Sequence, residues 1–184
     1  MSVVAVIVAL IIIAGVVLAA WYFTRQRRSK DLQQQFGPEY EHAVESYGQR
    51  GRAERELSER AERVAALHIR PLAPDDSRRY AEAWRQVQTD FVDDPDLAIA
   101  RADQLTIEVM QARGYPMGDF EQRAADISVD HASVVDNYRA AHALAGKAER
   151  GDATTEDMRQ AMVHYRTLFE DLIETRQPAH AERF

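Results

Sequence analysis

The sequence contains no cysteine. That excludes disulfides, thiolate metal sites and a cysteine nucleophile. It also lacks an excess of positive charge: 23 Lys and Arg stand against 30 Asp and Glu, a formal charge of −7. A nucleic-acid binder needs cations to neutralise phosphates, so no nucleic-acid partner is expected. No stretch alternates apolar and polar residues for any length, so strands are not expected. The common catalytic templates are missing as well. Gly146-Lys147 has no preceding glycine pattern of a phosphate loop. Gly-x-Ser-x-Gly, His-Glu-x-x-His and a glycine-rich dinucleotide turn are absent. The last absence is local: all 53 formal charges lie after residue 24.

What stands before that point is a single apolar run. In residues 3–23, 20 of 21 positions are apolar, the exception being Gly15. As a helix the run is about 31 Å long, enough for a hydrocarbon core of about 30 Å. Trp21 and Tyr22 close it, where amphipathic rings suit the headgroup level. A cleaved signal peptide would carry a basic region before a shorter apolar core. Here the basic residues follow instead: Arg25, Arg27, Arg28 and Lys30 form a collar. The expectation is a single-pass plasma-membrane (inner-membrane) anchor, with the N-terminus outside and residues 24–184 cytoplasmic by the positive-inside rule. The collar sets topology first, and it also attracts anionic headgroups. Ala5/Ala9 and Gly15/Ala19 have the spacing of close helix packing in lipid, so a homo-oligomer is an open alternative.

From residue 31 onward, 19 basic residues face 30 acidic ones, a charge of −11. Residues 31–48 read as a linker with a short helix, broken from the membrane helix at Phe36-Gly37-Pro38. Residues 49–67 read as a charged, solvated helix with Glu56/Arg60 and Glu59/Arg63 pairs, and with Arg60 on its thin apolar seam. The folded part begins near residue 69. Tyr80, Trp84, Val87 and Phe91 mark one buried helix face, with Asp75, Asp76 or Ser77 as its cap. Asp94-Pro95 starts the next helix, which Arg113-Gly114 ends. Asp119 with Gln122 reads as a capping box for a short helix. A helix from Ala132 to about Arg150 and another from about Thr155 to Thr175 follow, with Thr154/Asp157 as a looser cap. The expected fold class is all-α. A transmembrane anchor (1–24) and a collar with a charged helical linker (25–68) precede a bundle of about five helices (69–176). A disordered tail (177–184) ends the chain.

Few constellations suggest chemistry. Glu39 and His42 have the Glu-x-x-His spacing of carboxylate-bridged metal sites, which need a second copy that is missing. His142 and His164 fall on the last two long helices. With Tyr138 they are the pocket candidates for a small-molecule- or metal-binding, even catalytic, alternative. Asp90, Asp93, Asp94 and Asp96 lack the spacing and glycine of a calcium loop and read as helix caps. Arg123 and Arg139 are expected to pair with Asp126, Asp130 or Asp136. No catalytic residue, cofactor or metal is expected.

The segments IRPLAPDDSRRYAEAWRQVQTDFVDDP, ARGYP, DFEQRAADISVDH and MRQAMVHYRTLFEDL resemble a family of uncharacterised bacterial proteins, notably actinobacterial. The resemblance extends over the anchor, collar, FGPEY-type linker and charged helix; Ala132 departs from it, standing where many members have proline. It implies a shared all-α fold and single-pass topology, and no reaction. The leading expectation is a membrane-tethered cytoplasmic interaction module without catalytic activity. A structural envelope-associated oligomer is a further alternative.

Overall fold

The computed structural model describes residues 3–174, with side chains from Ile12 onward. The Ala5/Ala9 pair and the tail at 177–184 lie outside those side chains and residues. Among the described residues all regular structure is helical, in eight helices: α1 (Val3–Phe36), α2 (Pro38–Tyr47), α3 (Arg50–Ala65), α4 (Pro74–Asp90), α5 (Pro95–Arg113), α6 (Phe120–Asp130), α7 (Val135–Glu149) and α8 (Thr155–Ile173). The last five are the expected bundle.

Punctuation in the sequence sets most boundaries. Gly37 at φ 47 and Pro38 end α1 and open α2. Asp94 caps α5 by accepting from the Leu97 amide at 3.1 Å. Gly114, at φ 103, ends α5 against the His68 carbonyl; a β-carbon there would stand 2.7 Å from that oxygen. Only glycine fits both the left-handed backbone and the close approach. Three local expectations change. α4 begins at Pro74 after Ala73, so Asp75 and Asp76 sit inside its first turn, where they favour the helix dipole. Asp119 accepts from the Gln122 amide, but the Gln122 side chain turns to Asp126, so the box is half made. Thr154 and Asp157 form the full reciprocal box.

The basic collar is helical and continuous with the apolar run, and the break comes only at Gly37. Ile12, Ile13, Val16, Val17, Leu18, Trp21, Tyr22 and Phe23 are each 57–64% exposed. Consecutive residues on a helix point about 100° apart, so this exposure covers every face. Among the described residues no helix is long and apolar enough to cross a membrane. Of the apolar run, side chains are described for residues 12–23, about 18 Å of helix.

One buried cluster extends from Leu32 and Phe36 to Leu172. α7 and α8 pack most extensively, then α5 on α8. Trp84 of α4 stacks on Phe169 of α8 with centroids 4.6 Å apart. The end of α1, α2 and α3 belong to the same core through Leu32, Phe36, Tyr40, Ala43, Ala53, Leu57 and Val64. α3 leans on α6 and α2. What reads as a solvated linker in sequence is packed in the structure.

Candidate functional site

Two polar junctions fix the N-terminal helices, the first to one another and the second to the bundle. The first sits where α1 leaves the collar. Ser29 donates to Glu54 at 2.6 Å, Tyr40 donates to the same oxygen at 2.9 Å, and Arg50 donates to Tyr40 at 2.8 Å and to Ser29 at 2.5 Å. Burial raises the Glu54 pKa, but the donors Ser29, Tyr40 and Arg50 outweigh it and hold the carboxyl below the usual range. α1, α2 and α3 are thereby tied at one point.

The second junction is centred on Glu39, fully buried at the start of α2. It accepts from Arg60 of α3 at 2.8 Å and from both terminal nitrogens of Arg139 of α7 at 2.7 and 2.9 Å. Arg139 also reaches Asp136, as expected from sequence, at 3.1 Å. Burial disfavours the Arg60 charge, yet bonds to Tyr47, Glu39 and Glu56 outweigh it and raise its pKa. The Glu-x-x-His spacing is therefore not a ligand pair: Glu39 is spent on two guanidiniums, while His42 is exposed. Arg63 bonds Asp126 of α6 at 3.0 Å, which clamps α3 to the bundle. Arg123 bonds the Tyr138 hydroxyl at 3.1 Å and the Gly118 carbonyl.

The pocket candidates do not share a cavity. Tyr138 is wholly buried in the core. His142 is exposed and stacks on Phe120 with centroids 3.7 Å apart. His164 is half-buried and bonds the Asn137 side-chain oxygen at 2.8 Å. His142 does border a cavity of about 500 Å³ between α5 and α7, with Asp96, Asp103, Glu149 and Arg150. Neither Tyr138 nor His164 lines it. Asp103 accepts from Tyr165 at 3.0 Å, and burial together with that carboxylate pushes the Tyr165 hydroxyl far above its usual value. Among the described residues no group of three or more His, Asp or Glu is placed to hold a metal.

Two buried groups escape sequence reasoning. Arg113 is 1% exposed and donates to the Leu172 carbonyl at 2.9 Å, closing the end of α8. His131 Nδ1 meets Asp171, beside the Tyr115–Asp130 bond. A His–Asp pair can poise a general base, but here Nε2 is shut off from solvent without a partner. A substrate proton cannot reach it. The pair reads as a brace between the α6–α7 turn and α8.

The collar divides. Arg25 and Lys30 border a cavity of about 330 Å³ with Tyr22, Gln26, Ser29, Gln33, Arg50 and Glu54, whereas Arg27 and Arg28 do not line it. Arg25 also lies over the Trp21 ring, 5.3 Å from its centroid. No family model, curated protein or solved structure matches the chain.

Proposed function

We propose that the chain is a membrane-tethered protein-interaction module without catalytic activity. The observation that carries this reading is the state of α1. One end exposes Ile12–Phe23 on every face, and the other end seats Leu32 and Phe36 in the domain core. An all-round apolar helix is stable in lipid and costly in water. Together with residues 3–11, which complete the 21-residue run, it has the length of a membrane span. The collar orients residues 24–184 to the cytoplasm. Because α1 continues into the domain without a flexible joint, the Ser29–Glu54–Tyr40–Arg50 junction fixes the domain's height and tilt at the membrane.

The body offers an acidic surface. Its α4–α5 turn presents Val92, 82% exposed, among Asp93, Asp94 and Asp96. Such a tip suits a partner with basic residues around an apolar contact. A ligand-binding or catalytic reading would need Tyr138, His142 and His164 around one cavity, and the cavity that His142 borders is lined by neither of the others. A purely structural oligomer differs by needing the anchor for self-association, which ultracentrifugation with and without residues 1–24 reads.

The test is isolation of the cross-linked full chain from its native membranes. A defined partner, lost on Val92→Ser with Asp93→Lys, supports the reading. Recovery of the chain alone, or of the same partner with either form, contradicts it.

A further inference from the structure

The cavity beside the collar has a composition the interaction reading does not use. Three cations border it, Arg25 and Lys30 from α1 and Arg50 from α3, with one anion, Glu54. The Glu54 charge is consumed by Ser29, Tyr40 and Arg50. Among the described residues neither Arg25 nor Lys30 forms an ion pair. Two cations thus stand uncompensated around a hollow of about 330 Å³, with Gln26, Gln33 and Tyr22 as further donors. The fold assembles this arrangement, because the turn after α2 brings Arg50 and Gly51 back to the collar. A β-carbon on Gly51 would stand 3.7 Å from Arg25 Nη2. The first turn of α3 has no side-chain cap, so its amide ends add positive potential at the same place.

Height selects the ligand. Each headgroup layer is about 5–7 Å deep, from the difference between the full bilayer and its core. Along α1, Arg25 lies about 4.5 Å past Tyr22 and Ser29 about 10 Å past it. The cavity therefore begins in the headgroup layer, at Arg25, and opens past its aqueous edge toward Lys30 and Gln33. We propose that it seats the phosphate of an anionic phospholipid from the cytoplasmic leaflet, held by Arg25, Lys30 and Arg50. This rests on the anchor reading.

The test uses the full chain in neutral detergent micelles, titrated with short-chain phosphatidylglycerol, short-chain phosphatidylcholine and inorganic phosphate. Phosphatidylglycerol should bind, and Arg25→Gln and Lys30→Gln should each weaken it about fivefold. Arg50→Gln should do the same or more; because Arg50 also braces the junction, the α1 variants keep the result readable if Arg50→Gln fails to fold. Arg27→Gln and Arg28→Gln, on the same collar but outside the cavity, should leave binding unchanged. Equal losses from all four collar variants would reduce the effect to general attraction and overturn the proposal. So would absent binding, or phosphatidylcholine bound as well as phosphatidylglycerol. Inorganic phosphate bound as tightly would overturn the lipid source. Alkaline carbonate washing of native membranes separates the two claims: release of the chain refutes the anchor, and retention with unselective binding refutes the cavity alone.

Discussion

Replacing Glu39 by glutamine tests whether the second junction holds the domain together. The substitution keeps the side-chain volume and removes the charge. Arg60 and Arg139 would then share a dry space, with side chains only 10% and 21% exposed. Breaking a buried ion cluster by removing one member costs about 3–5 kcal/mol, because the remaining charges lose their compensation. Here Glu56 and Asp136 still reach the two arginines, at 3.3 and 3.1 Å from positions 31% and 58% exposed. That residual pairing places the loss near the lower bound, about 3 kcal/mol. For a chain of this size the loss lowers Tm by roughly 6–12 °C. The assay is urea and thermal unfolding of the full chain in mild detergent, followed by far-ultraviolet circular dichroism. Glu170→Gln is the control. It breaks the exposed Arg166–Glu170 pair, 56% and 53% exposed, and should cost about 0.5 kcal/mol or less. Replacing Glu39, Arg60 and Arg139 together by methionine or leucine should recover much of the stability, since no charge is left stranded. A Glu39→Gln variant no less stable than the Glu170→Gln control would refute the reasoning.

Further predictions follow from single contacts. Trp84→Ala removes the stack on Phe169 and should cost about 3–5 kcal/mol in the same unfolding assay; Trp84→Phe should cost far less, because Trp84 Nε1 has no hydrogen-bond partner to lose. Gly114→Ala should destabilise by more than about 1 kcal/mol, since it adds a clash with the His68 carbonyl to a left-handed backbone. Asp119→Ala should cost about 1 kcal/mol through the lost cap on α6. The lowered pKa of Glu54 gives a pH signature: its contribution is complete above the ordinary value of 4.5 and disappears as pH falls through the depressed folded value. Glu54→Gln should therefore flatten the acid limb of a stability–pH profile, and an unchanged limb would contradict the junction.

The local elements were legible because their signals are local. Tyr80, Trp84 and Val87 repeat at helical spacing and are buried as that spacing implies. Asp94-Pro95, Gly114 and Thr154/Asp157 stand at helix ends because capping and left-handed turns depend on a few adjacent residues. The junctions were not legible. Arg139 lies 100 residues from Glu39, and nothing near either residue marks the other. Arg60 looked like a flaw in an apolar seam, yet that flaw is the buried charge that meets Glu39. Glu59/Arg63 satisfies the pairing rule for a free helix, but Arg63 is drawn to Asp126 by packing. Leu32 and Phe36 carried a helical spacing too short to separate from a linker. The division of the collar was also hidden, since it depends on where the α2–α3 turn returns.

The central claim is that one helix lies in lipid and continues rigidly into the domain. With no native cysteine, single cysteines introduced at positions 16, 17, 18 and 34 of the full chain in vesicles can each carry one spin label. Collision with oxygen, which concentrates in lipid, is then compared with collision with a water-soluble nickel chelate. The account predicts that labels at 16, 17 and 18 all favour oxygen, whatever face they occupy, and that the label at 34 favours the nickel chelate. Nickel-accessible labels at 16–18, or a lipid signal on one face only, would contradict it.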